Sequence, residues 1–238
     1  MDKYERNARF FPAIVAMVIP GLFMTWVFRD KLPFIKEAEG WFFYLLEGFV
    51  APALLFSAFG YFLRSLFRST SKLIFQIPFF RDDEVNMPTT DYLFWNNDFC
   101  TEEKKERIYS KILGKYEINI PIGHVKKKDE LAVRKKIAEA VRLIRVDFRK
   151  EGNNDSIVQD YNIQFGMYRN FLGGSVYSCL LIAGTILMNA LYSFTNEWVS
   201  SVIAIVVQVL LIAASIVSLK HAASDYAKYL IDYFDNHM

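Results

Sequence analysis

Ser201, Gln208 and Ser215 recur at heptad spacing in a stretch, Trp198 to Leu219, otherwise rich in Val, Ile and Leu. On a helix they fall on one line, with Ala204 and Ser218 close by, and such a line should turn away from lipid. Gln208 lies about 15 Å from Trp198 at helical rise, near the middle of a bilayer. Another apolar stretch, Trp41 to Leu63, carries one ionisable residue, Glu47. A charged carboxylate at that depth costs on the order of 3 kcal/mol, so Glu47 should face protein or water, or take up a proton. Ser57, Tyr61, Arg64 and Arg68 share its sector, and Ser178, Thr185 and Asn189 form a third line. The chemistry these side chains suit is passage of ions rather than bond making. Glu47, Ser201, Gln208 and Ser215 are therefore the candidate pore-lining residues. The same groups also serve as hydrogen-bonding glue between helices, and the sequence leaves both uses open.

A second constellation is cationic. At a 3.6 period across 129–150, Val133, Ile137, Ala140, Val141, Ile144 and Phe148 share one face. Lys128, Lys135, Arg142, Arg145 and Arg149 share nearly the opposite one. Such a helix packs inward and offers charge outward, either to water or to a polyanion whose phosphates it neutralises. Those five are the candidate ligand-binding residues. Tyr92, Phe94 and Trp95 could stack on bases or pack a core.

No motif for covalent or metal chemistry accompanies them. The chain lacks a glycine-rich phosphate loop and a Cys-x-x-Cys, and His124, His221 and His237 are scattered. We expect no enzyme, no cofactor and no metal. Cys100 and Cys179 do not form a disulfide framework and fit a reducing compartment.

The elements that carry these residues follow from where the apolar residues fall. Of 238 residues 53% are hydrophobic and the net charge is only +2, so bulk charge does not point to nucleic acid. The apolar residues form long runs, as in a membrane protein. The expectation is an all-α membrane protein with four transmembrane helices in two hairpins and a mainly helical cytosolic insert. Residues 1–63 form the first hairpin (spans 10–28 and 41–63) and 64–172 the cytosolic domain. Residues 173–221 form the second hairpin (spans 176–194 and 198–219), and 222–238 a tail helix. Pro20-Gly21 predicts a kink in the first span. Pro78 argues against a helix continuing through Leu73–Phe80, which is too short to span and suits the membrane interface. Met87–Trp95 reads as extended, Thr101–Tyr116 as a helix with Thr101 as cap. Gly152–Asp155 ends the basic helix, and Ile157–Leu172 leads to Gly173-Gly174. In the tail, Tyr226, Tyr229, Leu230 and Tyr233 share a packed side.

Cationic residues flank one end of each span: Lys3, Arg6 and Arg9, then Arg64, Arg68, Arg169 and Lys220. The connector at 195–197 has none; the first connector has three, but four spans put both connectors on the same side. The positive-inside rule then puts both termini and the central block in the cytoplasm.

This layout, with Met87-Pro-Thr-Thr-Asp-Tyr-Leu93, Asn162-Ile-Gln-Phe-Gly-Met-Tyr-Arg-Asn170 and Asp225-Tyr-Ala-Lys-Tyr-Leu230, resembles the transmembrane effectors of the Hailong anti-phage defence system. The resemblance covers a small part of the chain and implies a tetrameric ion channel of the bacterial inner membrane. It implies a single-stranded DNA oligomer, made by a partner nucleotidyltransferase, that holds the channel shut. It carries over no contact residues. The expected function is thus an oligomeric, ligand-gated channel-type effector embedded in a lipid bilayer. The alternative is a non-conducting scaffold that recruits a cytosolic partner through 64–172.

Overall fold

The computed structural model describes residues 3–28, 62–80, 84–150, 156–192 and 198–237. Its regular elements are all helical, with no strand among the described residues. Three helices are long and apolar enough to cross a membrane: Glu5–Phe28, Ile157–Tyr192 and Trp198–His237. Most of the expected span 41–63, with Glu47, and both connectors lie outside the described residues, as does the helix end expected at Gly152–Asp155.

The chain divides into two compact units. One holds Met1–Phe75 and Gly166–Leu219, the other Gln76–Phe165 and Lys220–Met238. In the first, α1 (Phe11–Phe28) follows a π-helical stretch, Glu5–Phe10, and runs through Pro20 as one element. Helix α2 covers 62–80, as α-helix to 71, a π-helical stretch Lys72–Gln76, and a last turn Ile77–Phe80. Pro78 therefore does not stop this helix. A proline ring clashes with the carbonyl four residues back, and a wider π turn ahead of it relieves that clash. The same arrangement precedes Pro12, where the Phe11 N–H donates to Arg6 O.

Two long helices complete the set: α6 (Ser156–Tyr192) and α7 (Trp198–His237). Gly173-Gly174 does not interrupt α6; it marks a close crossing. A Cβ on Gly173 would stand 1.9 Å from Phe67 O, and one on Gly174 would stand 2.8 Å from Ala16 Cβ. Helix packing without side chains at that point outweighs the roughly 1 kcal/mol that glycine costs a helix. The tail is likewise no separate element but the end of α7. At 40 residues α7 is about 60 Å long, twice a bilayer's hydrocarbon core.

The second unit builds one core from α3 (Pro88–Leu93), α4 (Glu102–Tyr116), α5 (Glu130–Lys150), the start of α6 and the end of α7. The segment expected to be extended is thus helical at α3. Met87 is extended, at φ −69° and ψ 150°, and Pro88 takes the first helical position, where its missing N–H costs nothing. The Thr90 hydroxyl then donates to Glu84 O at 2.7 Å. Thr101 holds the cap position of α4, but its hydroxyl makes no capping bond. The apolar face of α5 packs as its period predicts, with Val133, Ile137, Ala140, Val141, Ile144 and Phe148 all buried. On the tail, Tyr226 and Leu230 are buried in this core and Tyr229 and Tyr233 pack against it.

Candidate functional site

Polar residues in the apolar helices fall into two kinds. Along α6 Asn170, Ser178 and Thr185 each donate a hydrogen bond, although Asn170 Oδ1 has no partner among the described residues. Pro20 supplies no N–H to the carbonyl four residues back, Ala16, and the Ser178 hydroxyl donates to that carbonyl. Pro12 leaves Ala8 without its helical donor in the same way, and Asn170 Nδ2 donates to Ala8 O at 2.6 Å. The two prolines are eight residues apart, and so are their two donors. A freed carbonyl buried away from water must find such a donor, and serine and asparagine on a neighbouring helix supply it. Ser178 and Thr185 are buried, and the Thr185 hydroxyl donates within its own helix to Leu181 O at 2.8 Å. Asn170 and Ser178 are glue, and Thr185 is satisfied within its own helix.

Along α7 the pattern differs. Ala204, Gln208 and Ser215 are buried and Ser201 is half-buried, whereas Val199, Ile203, Val206 and Leu210 are exposed. The polar line turns inward, as its spacing predicts. Gln208 is only 2% exposed, yet among the described residues neither Oε1 nor Nε2 has a hydrogen-bond partner. A primary amide has two donors and an acceptor to satisfy, and burying it unpaired costs about 1–3 kcal/mol or more. Apolar side chains gather one turn away, where Phe23, Val27, Ile182 and Ala204 form a buried cluster. Among the described residues nothing satisfies this amide, which leaves water, an ion, another copy or a residue outside the described set to do so.

On α5 the cationic candidates also separate. Arg145 is turned into the second unit: Nη2 donates to Thr89 Oγ1 at 3.0 Å and Nη1 stands 3.6 Å from Glu84. Lys128, Lys135, Arg142 and Arg149 stay exposed, and none takes part in an ion pair among the described residues. Their spacing of seven makes a row with roughly 10.5 Å between members where the chain is helical. Glu139 is exposed on the same face and lowers its net charge. Arg134, which the sequence did not single out, is structural. It pairs with Asp91 at 2.6 Å and Glu130 at 2.8 Å and stands 4.3 Å from the Phe94 ring centre. Burial opposes its charge, but bonds to Asp91 and Glu130 outweigh that and raise its pKa. Phe94 and Trp95 are buried in the core, which decides their use; Tyr92 packs partly against it.

The charged face of α4 holds the end of α7. Lys104 Nζ meets Asp232 at 2.5 Å, Arg107 grips Asp235 with two bonds of 2.9 and 2.5 Å, and Lys111 adds a third contact at 3.6 Å. The Arg107 guanidinium holds the Asp235 carboxyl below its usual range. An open cavity of about 470 Å³ borders this network, lined by Tyr92, Phe99, Cys100 and Lys104 among others. Burial pushes the Cys100 thiol up, away from the reactive thiolate. Among the described residues no group of His, Cys, Asp or Glu is placed to hold a metal ion. Compared with protein-family models, curated proteins and solved structures, the chain matches none.

Proposed function

We propose that this chain is an oligomeric effector of the bacterial inner membrane that conducts ions under the control of an anionic ligand, as its resemblance to the Hailong transmembrane effectors implies. Gln208 carries the reading. Glue requires a bond across helices, such as those Asn170 and Ser178 make, and Gln208 makes none among the described residues. A hydrated path beside α7 satisfies its amide, and several copies together enclose such a path more readily than one. The ligand is a polyanion, a single-stranded DNA oligomer from a partner nucleotidyltransferase, received by the row Lys128, Lys135, Arg142 and Arg149. Each phosphate neutralised there adds salt-dependent affinity.

Currents across reconstituted bilayers test this. The wild type should conduct and should close when short single-stranded DNA is added. Gln208→Leu should lose most of the conductance while leaving assembly intact, because it removes the amide that the hydrated path solvates. Changing Lys135, Arg142 and Arg149 to Gln should leave conduction intact, weaken DNA closure and flatten its salt dependence by about 0.7 in log–log slope per lost contact. An assembled protein that passes no current leaves the scaffold reading instead.

A further inference from the structure

The first unit distributes its charge in a way that the conduction reading does not use. Among its described residues the cations are Lys3, Arg6 and Arg9, then Arg64, Arg68 and Lys72, then Arg169. The only acid among them is Glu5. From Phe11 to Phe28, from Asn170 to Tyr192 and from Trp198 to Leu219 there is no Asp, Glu, Lys or Arg.

Contacts bring the three cationic segments to one cross-section. Asn170 bonds to Ala8, and a Cβ on Gly166 would stand 2.9 Å from Ala8 Cβ and 3.0 Å from Tyr4 Oη. A Cβ on Gly173 would stand 2.9 Å from Ser71 Cβ. Arg64 reaches Glu5 at 3.9 Å, and Arg9 reaches the same carboxylate at 3.4 Å. One carboxylate thus serves two arginines, and Arg9 Nε is buried without a partner among the described residues. Arg6 and Arg68 are exposed.

Apolar side chains open to the surface adjoin this charge. Phe62 and Leu73 are 63% and 68% exposed, and Ile74 and Phe11 are also open. Phe67 packs with Ala13, so the helical stretch about Lys72 lies near the end of α1's apolar run rather than far beyond it. A soluble anion has use for the cations but none for the aromatic and aliphatic groups beside them. A phospholipid uses both, with its phosphate at the charge and its acyl chains along the apolar helices.

We infer that this end of the first unit is a binding belt for anionic phospholipid headgroups, centred on Arg6, Arg9, Arg68 and Lys72. It fixes the depth of the helices and makes the protein's stability depend on lipid charge.

The test uses the full chain purified in detergent, with phosphatidylglycerol or phosphatidylcholine added at equal mole fraction and thermal unfolding followed. Phosphatidylglycerol should raise the melting temperature several degrees more than phosphatidylcholine, and the excess should shrink as salt is raised about tenfold. Each basic residue near a lipid surface contributes about a fivefold factor, so changing Arg6, Arg68 and Lys72 to Gln should weaken the phosphatidylglycerol response roughly 100-fold in concentration. Changing Arg6 and Arg68 to Lys, which keeps every charge, should preserve it. The belt is refuted by equal responses to the two lipids, by a salt-independent excess, or by a Gln triple variant that responds like wild type. It is also refuted if glycerol phosphate or a short DNA strand reproduces the shift, since either result assigns the cations to a soluble anion. If the Gln variant does not fold, the lysine variant and the salt series still decide. No current is read, so failure here leaves the conduction reading of Gln208 standing.

Discussion

Helices α6 and α7 look alike in composition and differ in how they treat their polar residues. On α6, Asn170 and Ser178 reach two carbonyls, one just before α1 and one on it, that the prolines of α1 have released. On α7, Gln208 is as deeply buried and neither end of its amide has a partner among the described residues. Polar residue type therefore does not say whether a buried position is glue. The presence of a released partner does, and that partner is specified four residues before each proline.

The strongest way to break the α6 side of this comparison is to separate the crossing itself. Gly173→Val places atoms where Phe67 O already stands and should destabilise the protein by about 3 kcal/mol or more, seen as lost melting temperature in detergent. Gly184, on the same helix, has open space where a Cβ would sit, with nothing within 4 Å. Gly184→Ala should therefore be neutral or stabilising by up to about 1 kcal/mol. Similar losses for both would mean that α6 dislikes any side chain and that the crossing is not special.

The other end of α7 sharpens the contrast from a different side, because there its polar groups are satisfied. The Asp235 side chain is 4% exposed and bound by Arg107 and Lys111. Its folded pKa is depressed, first by the Arg107 bond, so its stabilisation is full above the unfolded carboxylate value of about 3.8. That contribution is lost as pH falls from there through the depressed folded value. Asp235→Asn should cost about 1–2 kcal/mol at neutral pH and remove part of the acid-side slope. Urea unfolding at neutral pH and again below the unfolded carboxylate value checks both; a variant with the wild-type slope would show that the pair is merely surface decoration.

How much of this was legible in the residues depends on whether the cause was local. The faces of α5 and the aromatic side of the tail follow from a 3.6 period, and the structure packs them accordingly. The inward turn of the α7 line was legible for the same reason. Continuity was not, because Gly173-Gly174 and Pro78 are helix breakers locally, and only the helix crossing and the π turn make them acceptable. Arg145 and Arg142 look equivalent on a helical wheel, but Thr89 and Glu84 hold one while the other stays in water. Arg134 was passed over because its value comes from Asp91 and Phe94, distant in sequence. One signal was there to read: Pro12 and Pro20 are spaced by eight, as are Asn170 and Ser178.

That shared spacing gives the smallest and most discriminating prediction. Ser178→Ala strips Ala16 O of its donor and should cost about 0.6–1 kcal/mol, the usual range for a bond between membrane helices. Pro20→Ala restores an N–H to the same carbonyl, so in that background the serine hydroxyl becomes redundant and its removal should cost close to nothing. The coupling between the two substitutions should then nearly equal the single Ser178 effect. Pro20→Ala alone is uninformative, since it adds helix propensity and removes ring packing together; the double-mutant cycle cancels both. Pro12 and Asn170 form the parallel cycle, and there coupling should be weaker, because the π-helical stretch Glu5–Phe10 already adjusts the backbone ahead of the proline. Thermal unfolding in detergent of the four proteins of each cycle supplies the numbers. Additive effects at both sites would mean that the hydroxyl and amide merely fill space beside α1, and the distinction between α6 and α7 would then rest on Gln208 alone.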